Sequence, residues 1–397
     1  MVATPTTLDI SIKMSWLYPK IYERYFAKQI YASFGFILFA LVALFLFFDV
    51  LSELGSVNAK YTLPLALLHV LLKAPSRMVE IIPIAGLIGS IYVFAMMASQ
   101  SEFTIFRVAG LDIKRSLLTL GKISLPIVVF TLLISEVLGP YAESLSERVR
   151  MKALGSTFSS QFRSGVWVKD QLRDSDGTGP IRAGVRYVNV GAIDQNDQIR
   201  QIRMYEFDPN YRLLSIRSAA SGRFDNRGIW ELNDVSETRF TEKRSSDPLD
   251  AVYTAQTKIL PKLSLESQVT PQILNVLLIS PEKMSIVSLG RFILHLQDNK
   301  QDMQRHAIAF WKKVIYPFII FVMLALALPF AFMKVRAGSV GIKVFGGIML
   351  GMSFQLFNTL FSSIGLLGSL PALLTAILPP LIYLVLAIIA LKWVARA

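Results

Sequence analysis

The sequence predicts an α-helical membrane protein with six transmembrane helices, three on each side of an inserted all-β, jelly-roll-like domain. Three long apolar stretches precede a polar segment at residues 140–306, and three more follow it. An apolar run of about 20 residues is the length that a helix needs to cross the hydrocarbon core of a bilayer. Composition agrees, because 53% of the 397 residues are hydrophobic, more than a soluble domain of this size buries.

The apolar runs give the expected limits of the spans. They are residues 30–51, 78–98, 123–139, 315–333, 344–366 and 372–393. Residues 63–73 are also apolar, and Pro75 after them predicts a break, with an interfacial half-helix leading into the second crossing. No A-x-A cleavage site precedes the first run, which is too long for a signal peptide, so we expect a retained anchor.

The positions of Lys and Arg in the short segments predict the orientation, because cytoplasmic flanks retain positive charge. Four basic segments alternate correctly with the spans: residues 13–28, 107–122, 334–343 and 392–396. Both termini and the two basic loops are therefore expected in the cytoplasm. The large polar segment is expected on the far side, which for a bacterial inner membrane is the periplasm.

The net charge of +13 does not indicate nucleic-acid binding. Residues 140–306 hold 23 of the 41 Lys and Arg and 20 of the 28 Asp and Glu, so ten of the 13 net charges belong to the membrane portion. The positive charge therefore reflects topology and contact with lipid headgroups.

Within the polar segment, short runs alternate apolar and polar residues between turn signals such as Asp208-Pro209-Asn210. Strands are predicted at residues 166–168, 185–190, 199–207, 213–224, 229–240 and 252–260, in a β-sandwich or jelly roll. After Pro281 the period becomes helical, with Ile286, Leu289, Phe292, Ile293 and Leu296 on one face. The expected parts are an N-terminal membrane part (1–140), a β domain (141–270), a helical connector (271–306) and a C-terminal membrane part (307–397).

A search for catalytic chemistry gives no candidate, so we expect no catalytic residue, metal or cofactor in this chain. There is no G-x-x-x-x-G-K-[ST] sequence to hold nucleotide phosphates. The chain has no cysteine, and its three histidines, His69, His295 and His306, lack metal-ligand spacing.

Charged residues in or beside the spans are candidates for function, because a charge at the bilayer centre costs at least about 2.5 kcal/mol. Asp49, Glu80 and Glu136 are three such residues. Lys73 and Arg77 share a helix face with Glu80, which permits either an Arg77–Glu80 ion pair or a basic ledge for an anionic headgroup. Beyond the third span, Arg150 can either snorkel to the surface or contact a phosphate.

The loop between the second and third spans, Gln100 to Gly110 within an expected helical stretch at about 99–112, is the most informative local feature. Ser101 is expected to cap a short helix whose apolar Phe103, Phe106 and Val108 lie where no lipid requires them. Such residues indicate a docking surface for a partner. The alternative is a helix lying flat on the membrane.

The chain resembles the lipopolysaccharide-export permease family of LptF and LptG over nearly its whole length. The similar motifs are Ser101-Glu102 with Gly110, Phe47-Phe48-Asp49, and Trp311-x-Lys313-x-x-x-Pro317. Two further motifs are closer to LptG than to LptF: Gly165-Val-Trp-Val-Lys-Asp170 and Tyr205-x-Phe-Asp-x-Asn-x-Arg-Leu213.

The resemblance implies a non-catalytic subunit that pairs with the homologous permease LptF, two copies of the ATPase LptB, and LptC. ATP and magnesium would bind to LptB, and lipopolysaccharide would enter an outward-facing cavity. The implied coupling residues are Glu102, Phe103, Phe106 and Arg107. The implied lipid-binding residues are Asp49, Lys73, Arg77 and Arg150 near the phosphates, and Phe47, Ile82 and Phe354 along the acyl chains.

Two other functions stay open at the level of the sequence. One is a mechanotransmission permease, which moves a periplasmic partner without passing lipid. The other is a membrane enzyme that modifies a lipid headgroup, which would need carboxylates or histidines converging at one depth.

Overall fold

The computed structural model describes residues 20–154, 166–172, 184–193, 198–225, 229–243, 252–267, 269, 280–333, 340–368 and 370–396. It confirms six long apolar helices, three before and three after a β-sheet. The spans, numbered one to six, begin with Ile21–Leu54, Leu63–Ser99 and Ile113–Leu133, the last continued by a π-helix at Ile134–Leu138 and a helix at Gly139–Leu154. Spans four to six are Gln304–Ala327 (with Pro329–Phe332), Val340–Leu366 and Ala372–Arg396.

Gly165, the first residue of one LptG-like motif, lies outside the described residues, as do Lys13, Lys334 and Arg336 of the basic segments.

The first compact unit contains residues 1–52, 73–140 and 307–397, and its core lies around spans two and four. These two spans are the most buried, whereas spans one and five are the least buried. Span one contributes a narrow buried stripe at a helical spacing: Phe26, Ile30, Phe34 and Leu38. The rest of its surface is apolar and exposed, which suits contact with lipid or with another membrane helix.

Span two continues through Pro75, so the predicted break does not occur there. Proline lacks the N–H of an interior helical residue, but membrane helices tolerate it because neighbouring groups satisfy the freed carbonyl. Two further prolines in spans three and four, Pro126 and Pro317, are also accommodated inside helices.

The second unit contains residues 53–72 and 141–306, and all six predicted strands are present in it. Strands β1–β6 are Val166–Leu172, Gly184–Ile193, Ile199–Phe207, Leu213–Asp225, Ile229–Lys243 and Val252–Glu266. Each pairs antiparallel with the next, so the described strands form one sheet in sequential order. Pro261 lies in β6, an edge strand, where a missing N–H is tolerated. The connector helix, Ile286–Asp298, buries Leu289, Phe292 and Leu296 as the periodicity predicts.

One face of the sheet is the inner face, and it has an apolar part and a charged part. The apolar part includes Val190, Ile202, Val235 and Trp230, all at most 2% exposed. Beside it, five side chains of alternating charge cross strands β1 to β5; we call them the charge ladder. They are Asp170, Arg186, Glu206, Arg217 and Glu237.

Each charge in this ladder is compensated. Arg186 Nε lies 3.0 Å from Glu206 Oε1, and Arg217 contacts both Glu206 and Glu237 at 2.6 and 3.0 Å. Ser267, the residue after β6, donates a hydrogen bond to Asp170 of β1 at 2.6 Å. A buried charge costs free energy unless it is paired and hydrogen-bonded, so the ladder depends on every member being present.

The close approach of spans one and two predicts a steric limit. A Cβ on Gly89 would lie 3.1 Å from the backbone of Phe34, whereas one on Gly35 would meet nothing within 4 Å. Gly89→Val should therefore lower the free energy of unfolding by about 1–3 kcal/mol, the usual cost of overpacking. The matched control, Gly35→Val, should be close to neutral in the thermal unfolding of the detergent-solubilised chain. Equal effects of the two variants would contradict this packing.

The charge ladder predicts a loss of stability in acid. Burial alone would raise the pKa of Glu237, but the hydrogen bond and charge of Arg239 and Arg217 outweigh it and lower that pKa. The folded state therefore binds this proton less readily than the unfolded state, so the stabilisation is complete above the ordinary carboxyl pKa of about 4.3 and is lost as the pH falls through the lower value. Hydrogen exchange of β4 and β5, corrected for intrinsic rates, should accelerate below about pH 4. Glu237→Gln should flatten this pH dependence, and the exposed-residue control Glu231→Gln should not.

Candidate functional site

The short helix Glu102–Val108, between spans two and three, is held against the membrane unit by two kinds of contact. The Tyr25 hydroxyl donates to the Glu102 carboxylate at 2.9 Å. Phe103 is only 1% exposed, because its ring packs against Phe26, Phe94 and Phe332 at centroid distances of 6.3, 6.3 and 4.9 Å.

Phe106 and Arg107 also contact the membrane unit, although Arg107 is exposed. Phe106 is partly buried, with its ring 5.1 Å from that of Phe26. The Arg107 guanidinium lies 5.1 Å from the centre of the Phe332 ring, a cation–π contact. The expectation that Phe103 and Phe106 present an exposed apolar surface is therefore wrong, because these aromatic rings fill the space next to spans one, two and four.

The exposed apolar face of this helix is formed by Val108, which the sequence analysis had included in the docking surface, and by Ile105, which it had not. Ile105 is 67% and Val108 is 86% exposed. With Ser101, Thr104 and Ala109 they line a depression of about 410 Å³. We call these five residues the outer face of the short helix. The sequence grouped Val108 with Phe103 and Phe106, whereas in the structure Val108 shares the exposed side with Ile105.

The expectation that Ser101 caps the short helix with its side chain is wrong. It has a left-handed backbone with φ of 60° and makes no side-chain capping bond. Gly110, with φ of 91°, ends the same segment, and Asp112 caps span three by accepting from the Arg115 N–H. Two left-handed residues thus fix the direction of the short helix between its neighbours.

At one end of spans one and two, Arg77 forms a clamp with two carboxylates. Its Nε and Nη2 donate to both oxygens of Asp49 at 2.9 and 2.8 Å, and its Nη1 donates to Glu80 at 2.9 Å. The bidentate geometry with Asp49 joins span one to span two. Of the two interpretations of Arg77, the internal ion pair is therefore present, and the group Asp49–Arg77–Glu80 carries a formal charge of −1.

Span four is connected to its neighbours by polar contacts within one turn of helix. Lys313 Nζ lies 3.4 Å from Glu136 Oε1, on the π-helix of span three. Lys312 donates to the Ser362 hydroxyl and the Asn358 carbonyl of span five, and Tyr316 donates to the Val79 carbonyl of span two. A π-helix inside an α-helix often marks a functional position, and here it presents Glu136 to Lys313.

The other predicted lipid-binding residues differ in exposure. Ile82 and Phe354 are 0% and 3% exposed in the core, so neither presents surface to an acyl chain in this structure. Phe47 is exposed and packs edge-on against Phe48. Lys73 is partly buried. In the second unit, Arg150 donates to Glu53 at 3.0 Å.

The described residues contain no group of three His, Asp or Glu side chains that could hold a metal ion. His69 is buried and contacts the Ser146 hydroxyl and carbonyl at 2.8 and 3.0 Å, which is a structural arrangement. Burial lowers the pKa of His295, against the opposing charges of Asp170 and Asp298, so this ring is neutral near pH 7. The depression beside Val108 and the small cavity beneath Trp230 are lined by no carboxylate or histidine.

Comparison with known proteins gives one consistent result. Residues 24–393 match the family model of the lipopolysaccharide export system permease LptF/LptG. The chain is 27% identical to the lipopolysaccharide export system permease protein LptG of Escherichia coli strain K12 over 365 residues, 90% of this chain and 94% of that protein. It is 27% identical to LptG of Haemophilus influenzae over 365 residues, 91% of this chain and 96% of the relative.

The Lys313–Glu136 pair predicts a coupling that a double-mutant cycle can measure. Lys313→Met or Glu136→Gln alone removes one partner of a mostly buried ion pair, which should cost on the order of 1–3 kcal/mol of stability. The double variant Lys313→Met/Glu136→Gln should recover most of this loss, because no charge then remains. Thermal unfolding in detergent measures all three, with the exposed-residue variant Lys300→Met as the control. Strictly additive losses would contradict a direct pair.

Proposed function

The chain belongs to the lipopolysaccharide export permease family LptF/LptG, and on that premise we propose that it is the LptG-type transmembrane subunit of an ATP-driven transporter. Its partners would be the homologous permease LptF, a dimer of the ATPase LptB, and LptC. It would extract lipopolysaccharide from the inner membrane and deliver it to a periplasmic acceptor. The basic loops support this orientation, with both termini in the cytoplasm and the β domain in the periplasm.

The observation that carries the proposal is the division of the short helix into two faces. Phe103 and Phe106 attach it to the membrane unit, while Ile105 and Val108 remain exposed beside a depression. A membrane subunit that lacks a nucleotide-binding sequence needs such a surface to receive force from a separate ATPase. The outer face of the short helix, with its apolar centre, is the part of this chain best suited to that contact.

The exposed apolar surfaces of spans one and five support assembly with a second permease. Both spans are long enough to cross the membrane, yet each buries only a minor part of its surface within this chain. In span five the exposed residues include Phe345, Met349, Met352 and Leu356. A homologous partner would cover part of this surface, and the acyl chains of the lipid would occupy the space between, next to Phe47.

Two of the three cations proposed to meet lipid phosphates, Arg77 and Arg150, are already engaged with carboxylates. A phosphate would bind Arg77 in place of Asp49 or Glu80, and Arg150 in place of Glu53. Binding of the lipid headgroup would then exchange one anion for another and loosen the connection between spans one and two. This exchange would couple arrival of the lipid to movement of the spans.

The proposed replacement of a carboxylate by a lipid phosphate can be tested at Arg77. Arg77→Glu should weaken lipopolysaccharide crosslinking to the assembled complex, because it removes the cation. Asp49→Asn should preserve or increase crosslinking, because it removes the competing carboxylate. If Arg77→Glu and Arg150→Glu both bind the lipid normally, these arginines serve only internal ion pairs.

The outer face of the short helix gives a second test. Truncation or charging of a buried interface anchor costs about 2 kcal/mol or more, roughly a thirtyfold loss of affinity. Val108→Asp and Ile105→Asp should therefore reduce co-purification of the ATPase by at least about thirtyfold. The control Leu367→Asp, at an exposed position after span five, should not affect it.

Phe103→Ala distinguishes docking from folding. It should lower the thermal stability of the isolated chain, which Val108→Asp should leave unchanged. Normal co-purification and transport in Ile105→Asp and Val108→Asp would mean that the helix only lies on the membrane. ATP hydrolysis by the isolated chain would contradict the proposed function. An assembled complex that hydrolyses ATP but never contacts lipid would also contradict it, and would favour a mechanotransmission permease.

A further inference from the structure

The outer face of the sheet, opposite the apolar core, carries an aromatic platform on strands β1, β2 and β3. The ring of Trp167 stacks on that of Tyr205 at a centroid distance of 5.6 Å and an angle of 28°. Tyr187 packs edge-on against Phe207 at 5.8 Å. Trp167 remains 50% exposed, so its ring is an accessible flat surface rather than part of a core.

The register of the strands places two cations among these rings. One row across the three strands is Trp167, Asn189 and Arg203, and the next is Lys169, Tyr187 and Tyr205. Neither row contains an acidic residue. Arg203 is exposed and Lys169 is partly buried, and neither makes an ion pair with any residue in the described ranges.

This arrangement contrasts with the inner face of the same sheet. There each member of the charge ladder is neutralised by a neighbour within hydrogen-bonding distance. On the platform two cations stand beside stacked aromatic rings, and no carboxylate of the described residues pairs with either. An unneutralised cation pair therefore favours an anionic ligand, and it disfavours a cationic or purely apolar one.

Exposed flat aromatic rings stack on the apolar faces of ring-shaped ligands, while amide, hydroxyl and amine groups hydrogen-bond to the rim. A sugar ring presents C–H groups on its faces and hydroxyls around its edge, and a phosphate on it would meet Lys169 or Arg203 through a charge-assisted bond. We propose that this platform binds a phosphorylated saccharide, namely the headgroup sugars of the transported lipid. The proposal rests on the proposed function, and it assigns a role to two sequence motifs, residues 165–170 and 205–213, that the membrane mechanism does not use.

The test uses the full chain in its co-purified complex and a deacylated, phosphorylated oligosaccharide prepared from lipopolysaccharide as the probe. Saturation-transfer NMR on the probe measures its affinity without any contribution from acyl chains. Trp167→Ala and Tyr205→Ala should each weaken binding about tenfold, the loss that corresponds to roughly 1.4 kcal/mol. Trp167→Phe should retain most of the affinity, because it keeps a flat ring. Tyr211→Ala, at an exposed tyrosine in the turn after β3, is the matched control and should bind normally.

The charge component is tested separately. Lys169→Glu and Arg203→Glu should lose affinity for the phosphorylated probe but not for the same oligosaccharide after dephosphorylation. Lys262→Glu, at an exposed lysine of β6, should change neither affinity. Inorganic phosphate alone should compete only weakly, because it offers nothing to the rings. Competition by phosphate as strong as that by the probe would reduce the site to a general anion site and overturn the saccharide assignment.

Normal probe binding by Trp167→Ala and Lys169→Glu would also overturn the proposal. So would loss of a partner subunit from the purified Trp167→Ala complex, because the platform would then be a protein interface. Lipopolysaccharide crosslinking in the membrane unit is measured in parallel and should be retained in the platform variants. Its absence from the wild-type complex would contradict the proposed function, while saccharide binding at the platform could still be observed.

Discussion

Charges placed among apolar helices must be compensated inside the protein, and this requirement organises the membrane unit. Asp49 and Arg77 satisfy it between spans one and two, and Glu136 and Lys313 between spans three and four. Because removing one member of such a pair leaves a costly charge behind, the spans cannot separate freely. They can separate when another charge takes the place of one partner. Under the proposed function, an anionic lipid headgroup would supply such a charge, so the same residues would both stabilise the membrane unit and respond to the transported molecule.

The short helix also has one side that contacts the membrane unit and one side that is exposed. Phe103 belongs to the same core as Phe26 and Phe332, and the Glu102 carboxylate is bonded to Tyr25 of span one. These contacts join the short helix, which carries the exposed Ile105 and Val108, directly to span one. Span one also carries Asp49 near its opposite end. Span one is one continuous helix, so it links the short helix, with its proposed ATPase surface, to the Asp49–Arg77 ion pair.

Much of this architecture could be predicted from the sequence, because it depends on local patterns. Runs of apolar residues gave the six spans, and alternation gave the six strands, which the structure extends by a few residues at their ends. Three kinds of feature could not be predicted. The direction of a seven-residue helix depends on the left-handed Ser101 and on packing, so Phe103 was assigned to the wrong face. The partner of Lys313 lies 177 residues away. The burial of Ile82 and Phe354 depends on how spans two and five pack in three dimensions.

The central claim is that this chain guides a lipid, with its energy supplied by another subunit. The most direct measurement places a photocrosslinking residue at Phe47, an exposed position of span one, in the complex reconstituted into vesicles that contain lipopolysaccharide. The account predicts a lipopolysaccharide adduct in the absence of nucleotide and a marked decrease after ATP is added. A complex that hydrolyses ATP, yet forms no adduct at Phe47 or forms one that ATP does not change, would contradict it.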